Sequence, residues 1–322
     1  MNRNFKYFLI PLLLSIPLWL GVNILHQRLG NFFYWLEMAS NPALLAAQES
    51  QMSFQNNIIN LKPIRNESIF DPKIEAKSVV SIFVDNQGRG RILFEAGQDT
   101  RLPIASLTKL MTAKIVLDNY DLSKEIEISK EAVAQEENFG KLEFGKIFPV
   151  SYLFYPLLME SSNDAAFALA NDYDGMTEKK FIQLMNQESQ RLGLTDTKFF
   201  NPTGLDPEEP DQNINYSTAA DLAELTKNLL PYSFAWEVLS TPKFDTYGPE
   251  LINTNELLGK FANILGGKTG YTEKALGCFI LVTKAPKGAG YIINVILGAN
   301  GVNSRFQEME KLINWLDQAY TW

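Results

Sequence analysis

The sequence of 322 residues contains a single histidine, His26, and a single cysteine, Cys278. A Ser-His-Asp triad needs an imidazole beside the nucleophile, but His26 lies next to an apolar run near the N-terminus. Histidine-ligated zinc is excluded for the same reason, and one cysteine cannot supply a thiolate cluster or an internal disulfide. A serine hydrolase built from this chain must therefore use a different base, and we expect neither a metal nor another cofactor.

Basic residues are outnumbered by acidic ones, with 29 Lys and Arg residues against 37 Asp and Glu residues, which gives a net charge of −8. Such a balance argues against nucleic acid as a partner. Apolar residues make up 46% of the chain and charged residues 20%, which is typical of a globular core. Cys278 falls in an apolar stretch, residues 278–282, and we expect it to be a small buried core residue.

The first 30 residues contain an apolar run that could serve as a membrane anchor. Arg3 and Lys6 precede residues 8–25, which carry no charge. A helix of this length spans about 27 Å, close to the hydrocarbon thickness of a bilayer. The aromatic residues 32–35 follow where an outer interface would favour them. We expect an uncleaved single-pass anchor in the cell membrane with the rest of the chain outside the cytoplasm. The alternative is a cleaved signal peptide, although no small-residue site follows the run directly.

The rest of the chain divides into a linker and one folded domain. Residues 31–74 mix polar residues with short apolar patches, which predicts a stalk. From residue 75 onwards, strand patterns at both ends enclose a helix-rich middle. The predicted strands are 79–84, 91–94, 279–283 and 291–297, and the main predicted helices are 106–117, 152–172, 178–192 and 304–319. This order predicts one α+β domain over residues 75–322, whose sheet is completed by the C-terminal hairpin.

Ser106 and Lys109 form an S-x-x-K motif at the start of a predicted helix. Residues three apart share a helix face, so the lysine amine can reach the serine hydroxyl. An amine acts as a base only when neutral, and burial or a cationic neighbour such as Lys268 favours that form. Taken alone, the motif is also typical of a capping serine beside a surface lysine. A second match, residues 240–243, contains Pro242, which would break the required helical turn.

Two further motifs follow Ser106 in a fixed order. Ser161 and Asn163 stand on a predicted turn, where a hydroxyl could relay a proton to a leaving amine and an amide could hold a substrate carbonyl. Lys268 and Thr269 offer a charge and a donor to a substrate carboxylate, and Gly270 lets a substrate backbone lie along the strand edge. The alternatives are an ordinary helix cap for the first pair and an exposed turn for the second group.

The ordered motifs resemble those of the penicillin-recognising serine enzymes. Five longer segments resemble the D-alanyl-D-alanine carboxypeptidases of the S11 serine peptidase family, the low-molecular-mass penicillin-binding proteins. The segments are 103–112 (PIASLTKLMT), 161–166 (SSNDAA), 201–205 (NPTGL), 216–222 (YSTAADL) and 267–272 (GKTGYT). The resemblance covers residues 75–322 and implies a β-lactamase/transpeptidase-like α+β fold, with a helical lobe on a five-stranded antiparallel sheet. It also implies peptidoglycan stem peptides ending in D-Ala-D-Ala as substrates and β-lactams as covalent inhibitors.

The resemblance further implies roles for single residues. Ser106 would form the acyl-enzyme, with the backbone N–H groups of Ser106 and Tyr271 as the oxyanion hole. Arg305, at the start of the last helix, would help to hold the terminal carboxylate. Leu276 stands where relatives commonly have glycine, so we expect the local strand geometry to differ there.

Three other functions are compatible with some of these motifs. A class A β-lactamase uses a glutamate for deacylation, usually in an E-x-x-L-N stretch that is missing between Asn163 and Lys268. A D,D-endopeptidase of the same family differs in cleft width, so it stays open at this point. A non-catalytic wall-binding module would have no need of a Ser-Lys pair.

Overall fold

Strands lie at both ends of the chain and helices between them in the computed structural model, which describes residues 28–29, 63–136, 141–207 and 213–322. The strands are β1 (Ile64–Arg65), β2 (Ser78–Asp85), β3 (Gly90–Ala96), β4 (Leu102–Pro103), β5 (Glu125–Glu127), β6 (Ile147–Pro149), β7 (Tyr216–Ser217), β8 (Lys243–Phe244), β9 (Leu251–Ile252), β10 (Ile264–Thr272), β11 (Leu276–Lys284), β12 (Gly290–Ala299) and β13 (Tyr320–Thr321). The helices are α1 (Thr108–Asn119), α2 (Lys130–Val133), α3 (Val150–Leu158), α4 (Asn163–Asn171), α5 (Glu178–Arg191), α6 (Ala219–Leu229), α7 (Ser233–Ser240) and α8 (Ser304–Ala319), with 3-10 turns at Ala105–Leu107 and Pro286–Gly288.

Apart from residues 28–29 and 63–74, the predicted membrane anchor (residues 1–30) and the predicted stalk (residues 31–74) lie outside the described residues. Within the described ranges, no helix combines the length and the apolar character needed to cross a membrane. The chain from Arg65 to Trp322 forms one compact unit.

Five strands pair into a single antiparallel sheet in the order β10-β11-β12-β2-β3. The middle of this sheet joins opposite ends of the chain, because β12 pairs directly with β2. At their contact, the Ser81 hydroxyl donates to Asn294 Oδ1 over 2.8 Å inside the sheet. The pairing confirms the predicted sheet, in which the C-terminal hairpin β11–β12 completes what β2 and β3 begin.

The sheet separates two apolar cores, because successive side chains of a strand point to opposite faces. On β11, Ile280 joins the core beneath the helical lobe, whereas its neighbour Phe279 joins the core beneath α8. Met309 and Leu312 of α8 fill the second core. Both faces of the sheet are therefore covered, which leaves its edges, including the edge formed by β10, as the places where a ligand can approach the backbone.

The helical lobe is organised around α1, in which residues 108–116 are all buried. The prediction of a helix near residue 106 is confirmed, except that Ser106 lies in the preceding 3-10 turn and α1 begins at Thr108. A turn at residues 159–162 separates α3 from α4, and the Ser162 hydroxyl caps α4 by accepting from the Ala165 N–H over 3.1 Å. Ser162, and not Ser161, is therefore the residue that caps α4.

Candidate active site

Ser106 stands on a constrained turn at the entrance to α1. The preceding residue, Ala105, has a φ of 48° in the left-handed region, which is unfavourable for a residue with a side chain. Gly204 has a φ of 86°, and a Cβ on it would overlap the Ala105 carbonyl. A Cβ on Gly270 of β10 would come within 3.1 Å of the Ser106 nitrogen. The turn is thus wedged between the 201–205 loop and β10, which fixes the position of the serine.

Lys109, one helical turn further on, is fully buried beneath this serine. Its Nζ lies 2.9 Å from Ser106 Oγ, 2.7 Å from Asn163 Oδ1 and 2.7 Å from the Thr203 carbonyl oxygen. The two carbonyl oxygens can only accept hydrogen bonds, whereas a serine hydroxyl can also donate. They can therefore take both N–H groups of a neutral amine and leave its lone pair facing Ser106. This geometry suits a lysine that removes the serine proton.

Lys268 forms a second Ser-Lys contact with Ser161. The Lys268 Nζ donates to Ser161 Oγ over 2.8 Å and to the Thr269 carbonyl over 2.9 Å. Ser161 itself has a φ of 66°, a conformation that single residues adopt mainly at tight turns. Burial holds the pKa of Lys268 well below its ordinary value, and the positive charge of Arg305, and of Lys109 whenever it is protonated, lowers the pKa further. The amine can therefore exchange protons with the Ser161 hydroxyl.

The Lys-Thr-Gly motif lies within β10 and not on an exposed turn. Lys268 and Thr269 are almost completely buried, and the Thr269 hydroxyl lies 2.6 Å from that of Thr254. Tyr271, the next residue of the same strand, is 38% exposed. Since β10 is an edge strand, its pairing with β11 leaves the other edge for a ligand. The glycine and its neighbours are thus placed where a peptide could add to the sheet.

Arg305 approaches the same strand from α8. Its Nη1 donates to the Gly270 carbonyl over 2.7 Å, and the side chain is only 7% exposed. Burial lowers the pKa of the guanidinium, whose Nε has no hydrogen-bond partner among the residues that the structure describes. The contact shows that Arg305 supports β10, and its role at a substrate carboxylate stays a prediction.

Asn163 is shared between two contacts in the resting site. Its Oδ1 accepts from Lys109, while its Nδ2 donates to the Glu136 carbonyl over 2.9 Å. Holding a substrate carbonyl would require the Nδ2 group to exchange this acceptor for the ligand.

Several supporting residues were missed by reasoning from the sequence. Thr203 and Glu136 contribute backbone carbonyls, and a main-chain acceptor leaves no side-chain signature. Asn215 donates to the Thr108 hydroxyl over 3.0 Å and ties the 201–205 loop to the start of α1. Thr254 holds the hydroxyl of the Lys-Thr-Gly motif. Only Thr203 had a signal, because it belongs to the segment 201–205 that carries the resemblance. Glu136, Asn215 and Thr254 lie outside all five segments.

The second S-x-x-K match has no comparable geometry. Ser240 ends α7 and donates to the Glu237 carbonyl, while Lys243 forms an ion pair with Glu250. Cys278 is confirmed as a buried core residue, and burial raises the pKa of its thiol to about 11. Neither feature forms part of the site around Ser106.

The sequence that forms this site matches a known protein family. The profile of Peptidase S11, described as D-alanyl-D-alanine carboxypeptidase, matches residues 65–301. The D-alanyl-D-alanine carboxypeptidase DacF of Bacillus subtilis is 32% identical over 258 residues, which cover 76% of this chain and 63% of DacF. The D-alanyl-D-alanine endopeptidase of Pseudomonas aeruginosa is 31% identical over 246 residues, covering 74% of this chain and 76% of that protein. The chain belongs to the D-alanyl-D-alanine carboxypeptidase family, peptidase S11, and spans less than two thirds of the length of DacF.

Solved structures show the same fold. The DD-transpeptidase of Streptomyces K15 superposes with a TM-score of 0.69 at 28% identity, covering 77% of this chain and 98% of that one. Penicillin-binding protein D2 of Listeria monocytogenes, in its cefotaxime-bound form, gives 0.65 at 29% identity, covering 76% and 98%. The expected penicillin-binding fold with a central antiparallel sheet is confirmed.

Proposed function

We propose that this protein is a serine D-alanyl-D-alanine carboxypeptidase that removes the terminal D-Ala from peptidoglycan stem peptides. The observation that carries the proposal is the buried amine of Lys109, which lies 2.9 Å from Ser106 Oγ with carbonyl oxygens at two further positions around it. An unassisted serine hydroxyl is a weak nucleophile, and this arrangement supplies a base without histidine. Membership of the S11 family supports the same reaction.

Acylation begins with attack of Ser106 Oγ on the carbonyl carbon of the penultimate D-Ala. Lys109 accepts the hydroxyl proton as the new C–O bond forms. The backbone N–H groups of Ser106 and Tyr271 stabilise the negative oxygen of the tetrahedral intermediate, and each such donor contributes about 3 kcal/mol. The wedged turn at Ser106 favours this step because the donor and the nucleophile share one rigid segment.

The leaving group is then protonated from the second Ser-Lys contact. The C–N bond breaks, and the amine of the terminal D-Ala receives a proton through Ser161, which Lys268 resupplies. Lys268 and Thr269 bind the carboxylate of the same residue, and Arg305 adds positive charge behind β10. Asn163 orients Lys109 and offers its amide to the substrate.

Deacylation returns the enzyme to its starting state. The proton that Lys109 took from Ser106 first replaces the one that Lys268 gave to the leaving amine, so Lys109 is neutral again. Water then attacks the ester carbonyl, Lys109 takes the proton of the water, and Ser106 leaves with a proton from the lysine. No E-x-x-L-N glutamate is present to accelerate this step on a penicilloyl adduct. We therefore expect the adduct to last for minutes or longer, in contrast to the rapid turnover of a β-lactamase.

Labelling with benzylpenicillin tests the nucleophile and the base. The wild-type protein should be labelled stoichiometrically, and Ser106→Ala should abolish labelling. Lys109→Ala should slow acylation by about 100-fold or more, as is usual when a general base is removed. Ser240→Ala, in the second S-x-x-K match, is the matched control and should leave labelling intact. Labelling that survives Ser106→Ala would assign the nucleophile elsewhere.

An endopeptidase is the second candidate, because a relative from Pseudomonas aeruginosa of similar identity is named as one. The protein should be incubated separately with a pentapeptide ending in D-Ala-D-Ala and with a crosslinked muropeptide, and the products identified by mass spectrometry. Release of free D-alanine from the pentapeptide supports the carboxypeptidase. Cleavage of the crosslinked substrate alone supports the endopeptidase, and no product from either supports a binding module.

We also propose that residues 1–30 anchor the protein in the cell membrane with the catalytic domain outside the cytoplasm. The support is the uncharged run at residues 8–25 preceded by Arg3 and Lys6. Protease added to intact protoplasts should digest the catalytic domain. Protection of that domain from the protease would contradict this orientation.

A further inference from the structure

Every second residue of β10 faces the helical lobe, because side chains alternate along a strand. Each of these positions meets a different residue there, and the pairs are Lys268 with Ser161, Gly270 with Ser106, and Thr272 with Asp206. The first two pairs belong to the site described above. The third lies one step further along the same edge, and the proposed reaction gives it no role.

The Asp206 carboxylate lies at this end of the β10 edge and can accept further hydrogen bonds from a ligand. Its Oδ1 accepts from the Thr272 hydroxyl over 3.1 Å, and its Oδ2 accepts from the Lys274 backbone N–H over 3.3 Å. Neither bond is to a charged group, and a carboxylate oxygen can accept more than one hydrogen bond. Asp206 and Thr272 are both half-buried, so part of each residue is accessible to a ligand bound along β10. The carboxylate can therefore form an ion pair with a cation brought by the substrate.

The pairing register of a bound peptide identifies the substrate residue that reaches this position. In an antiparallel pair, each residue towards the N-terminus of the peptide lies opposite the next residue towards the C-terminus of β10. With the terminal carboxylate at Lys268 and Thr269, the terminal residue lies opposite Gly270, and the penultimate residue lies opposite Tyr271. Residue three of the stem peptide then lies opposite Thr272. Directly opposed L residues place their side chains on the same face of the sheet, which is here the face that carries Asp206.

We propose that Asp206 selects the side chain of residue three and favours a diamino acid whose second amine is free and positively charged. This inference rests on the proposed function, because it uses the register of a stem peptide bound for cleavage after the penultimate residue. Asp206 would act in specificity and not in the chemical step, since it contacts none of the reacting atoms.

Two tripeptides test the proposal, Nα-acetyl-L-Lys-D-Ala-D-Ala with a free ε-amine and the same peptide with that amine acetylated. For the wild-type protein, kcat/KM for D-alanine release should be about fivefold higher with the free amine, the effect of one partly exposed ion pair. In Asp206→Asn, which keeps an acceptor for Thr272, the ratio should fall to about one. Glu273→Gln removes an exposed carboxylate nearby and should keep the wild-type ratio.

The ratio of kcat/KM for the two peptides is measured on the same preparation of each variant. A reduced fraction of folded protein therefore lowers both values equally and leaves the ratio unchanged. Equal rates for the two peptides in the wild-type protein, or a ratio that persists in Asp206→Asn, would overturn the assignment. A ratio lost equally in Glu273→Gln would show general attraction by negative charge and would overturn it too. Protection by each peptide against benzylpenicillin labelling gives the same ratio from binding. If the protein releases no D-alanine, the proposed function is contradicted. The protection assay, which measures peptide binding alone, still decides whether Asp206 selects residue three.

Discussion

Replacement of Asp164 by asparagine should stabilise the protein, although this residue directly follows Asn163 of the active site. The Asp164 side chain is fully buried in the first turn of α4, and neither carboxylate oxygen has a hydrogen-bond partner among the described residues. Burial raises its pKa from 3.8 to about 6. The folded state therefore binds more protons than the unfolded state between these two values. Stability should fall as the pH rises through this window, and the loss should be complete above about pH 6.

The size of the effect follows from the pKa shift. About two units at 1.36 kcal/mol each correspond to at most about 3 kcal/mol at neutral pH. A buried asparagine also lacks partners, so a gain of about 1–3 kcal/mol is expected for Asp164→Asn. In a domain of this size, each kcal/mol raises Tm by about 2–4 °C. Thermal unfolding should therefore show a clear rise in Tm at pH 7.5 and a much smaller one at pH 4.5.

Glu131→Gln provides the matched control, since Glu131 is an exposed acid in the first turn of α2. Its replacement should change stability by less than about 1 kcal/mol at either pH. A gain for Asp164→Asn that is absent at pH 7.5, or equal at both pH values, would refute the argument from a buried charge.

Three further substitutions examine the site itself, and a fourth serves as a control outside it. Lys268→Met should abolish D-alanine release and yet raise Tm, most strongly at low pH, because the lowered pKa of this lysine means that wild-type stability rises with pH up to about 10.5. Gly204→Ala should cost at least about 2 kcal/mol and slow β-lactam labelling, since its Cβ would overlap the Ala105 carbonyl. Gly193→Ala, at a φ of 73° with open space around it, should cost only about 1 kcal/mol and leave labelling unchanged. Thr254→Val removes the hydroxyl that contacts Thr269 of the Lys-Thr-Gly motif. It should raise KM by about fivefold with a smaller change in kcat, as expected for one lost hydrogen bond. Equal effects on KM and kcat would contradict a role in substrate binding.

Much of the sheet and the convergence of the motifs could be predicted from the sequence. The strands that become β2, β11 and β12 carry strong apolar patterns, and the amphipathic period at residues 304–319 predicts α8 with its observed bounds. The three motifs could be placed together because their residue types are side-chain features that carry the chemistry directly. Such signals survive in one sequence without any knowledge of tertiary contacts.

The remainder depends on backbone conformation and on long-range packing. The carbonyl of Thr203 acts on Lys109 through a group that every residue possesses. Leu276 adopts a φ of 60°, a conformation that favours glycine, where we expected only some local difference in strand geometry. Ala105 and Ser161 also have positive φ values that their residue types do not indicate. These conformations are imposed by the segments packed against them, and single-sequence patterns do not contain that information.

The pairing of β12 with β2 makes Ser106, the proposed nucleophile, a reporter of complete folding. Ser106 is synthesised early, yet the strand beside it, β10, reaches the centre of the sheet only through β11 and β12. That centre forms when residues near Asn294 meet residues near Ser81, a contact of long sequence separation that is expected to form slowly. A chain that ends before β12 would contain Ser106 and Lys109, but β10 would not be held in the sheet beside them. Covalent capture by a β-lactam should therefore count only molecules that have finished folding, which makes the antibiotic a quantitative probe of native protein in a mixed population.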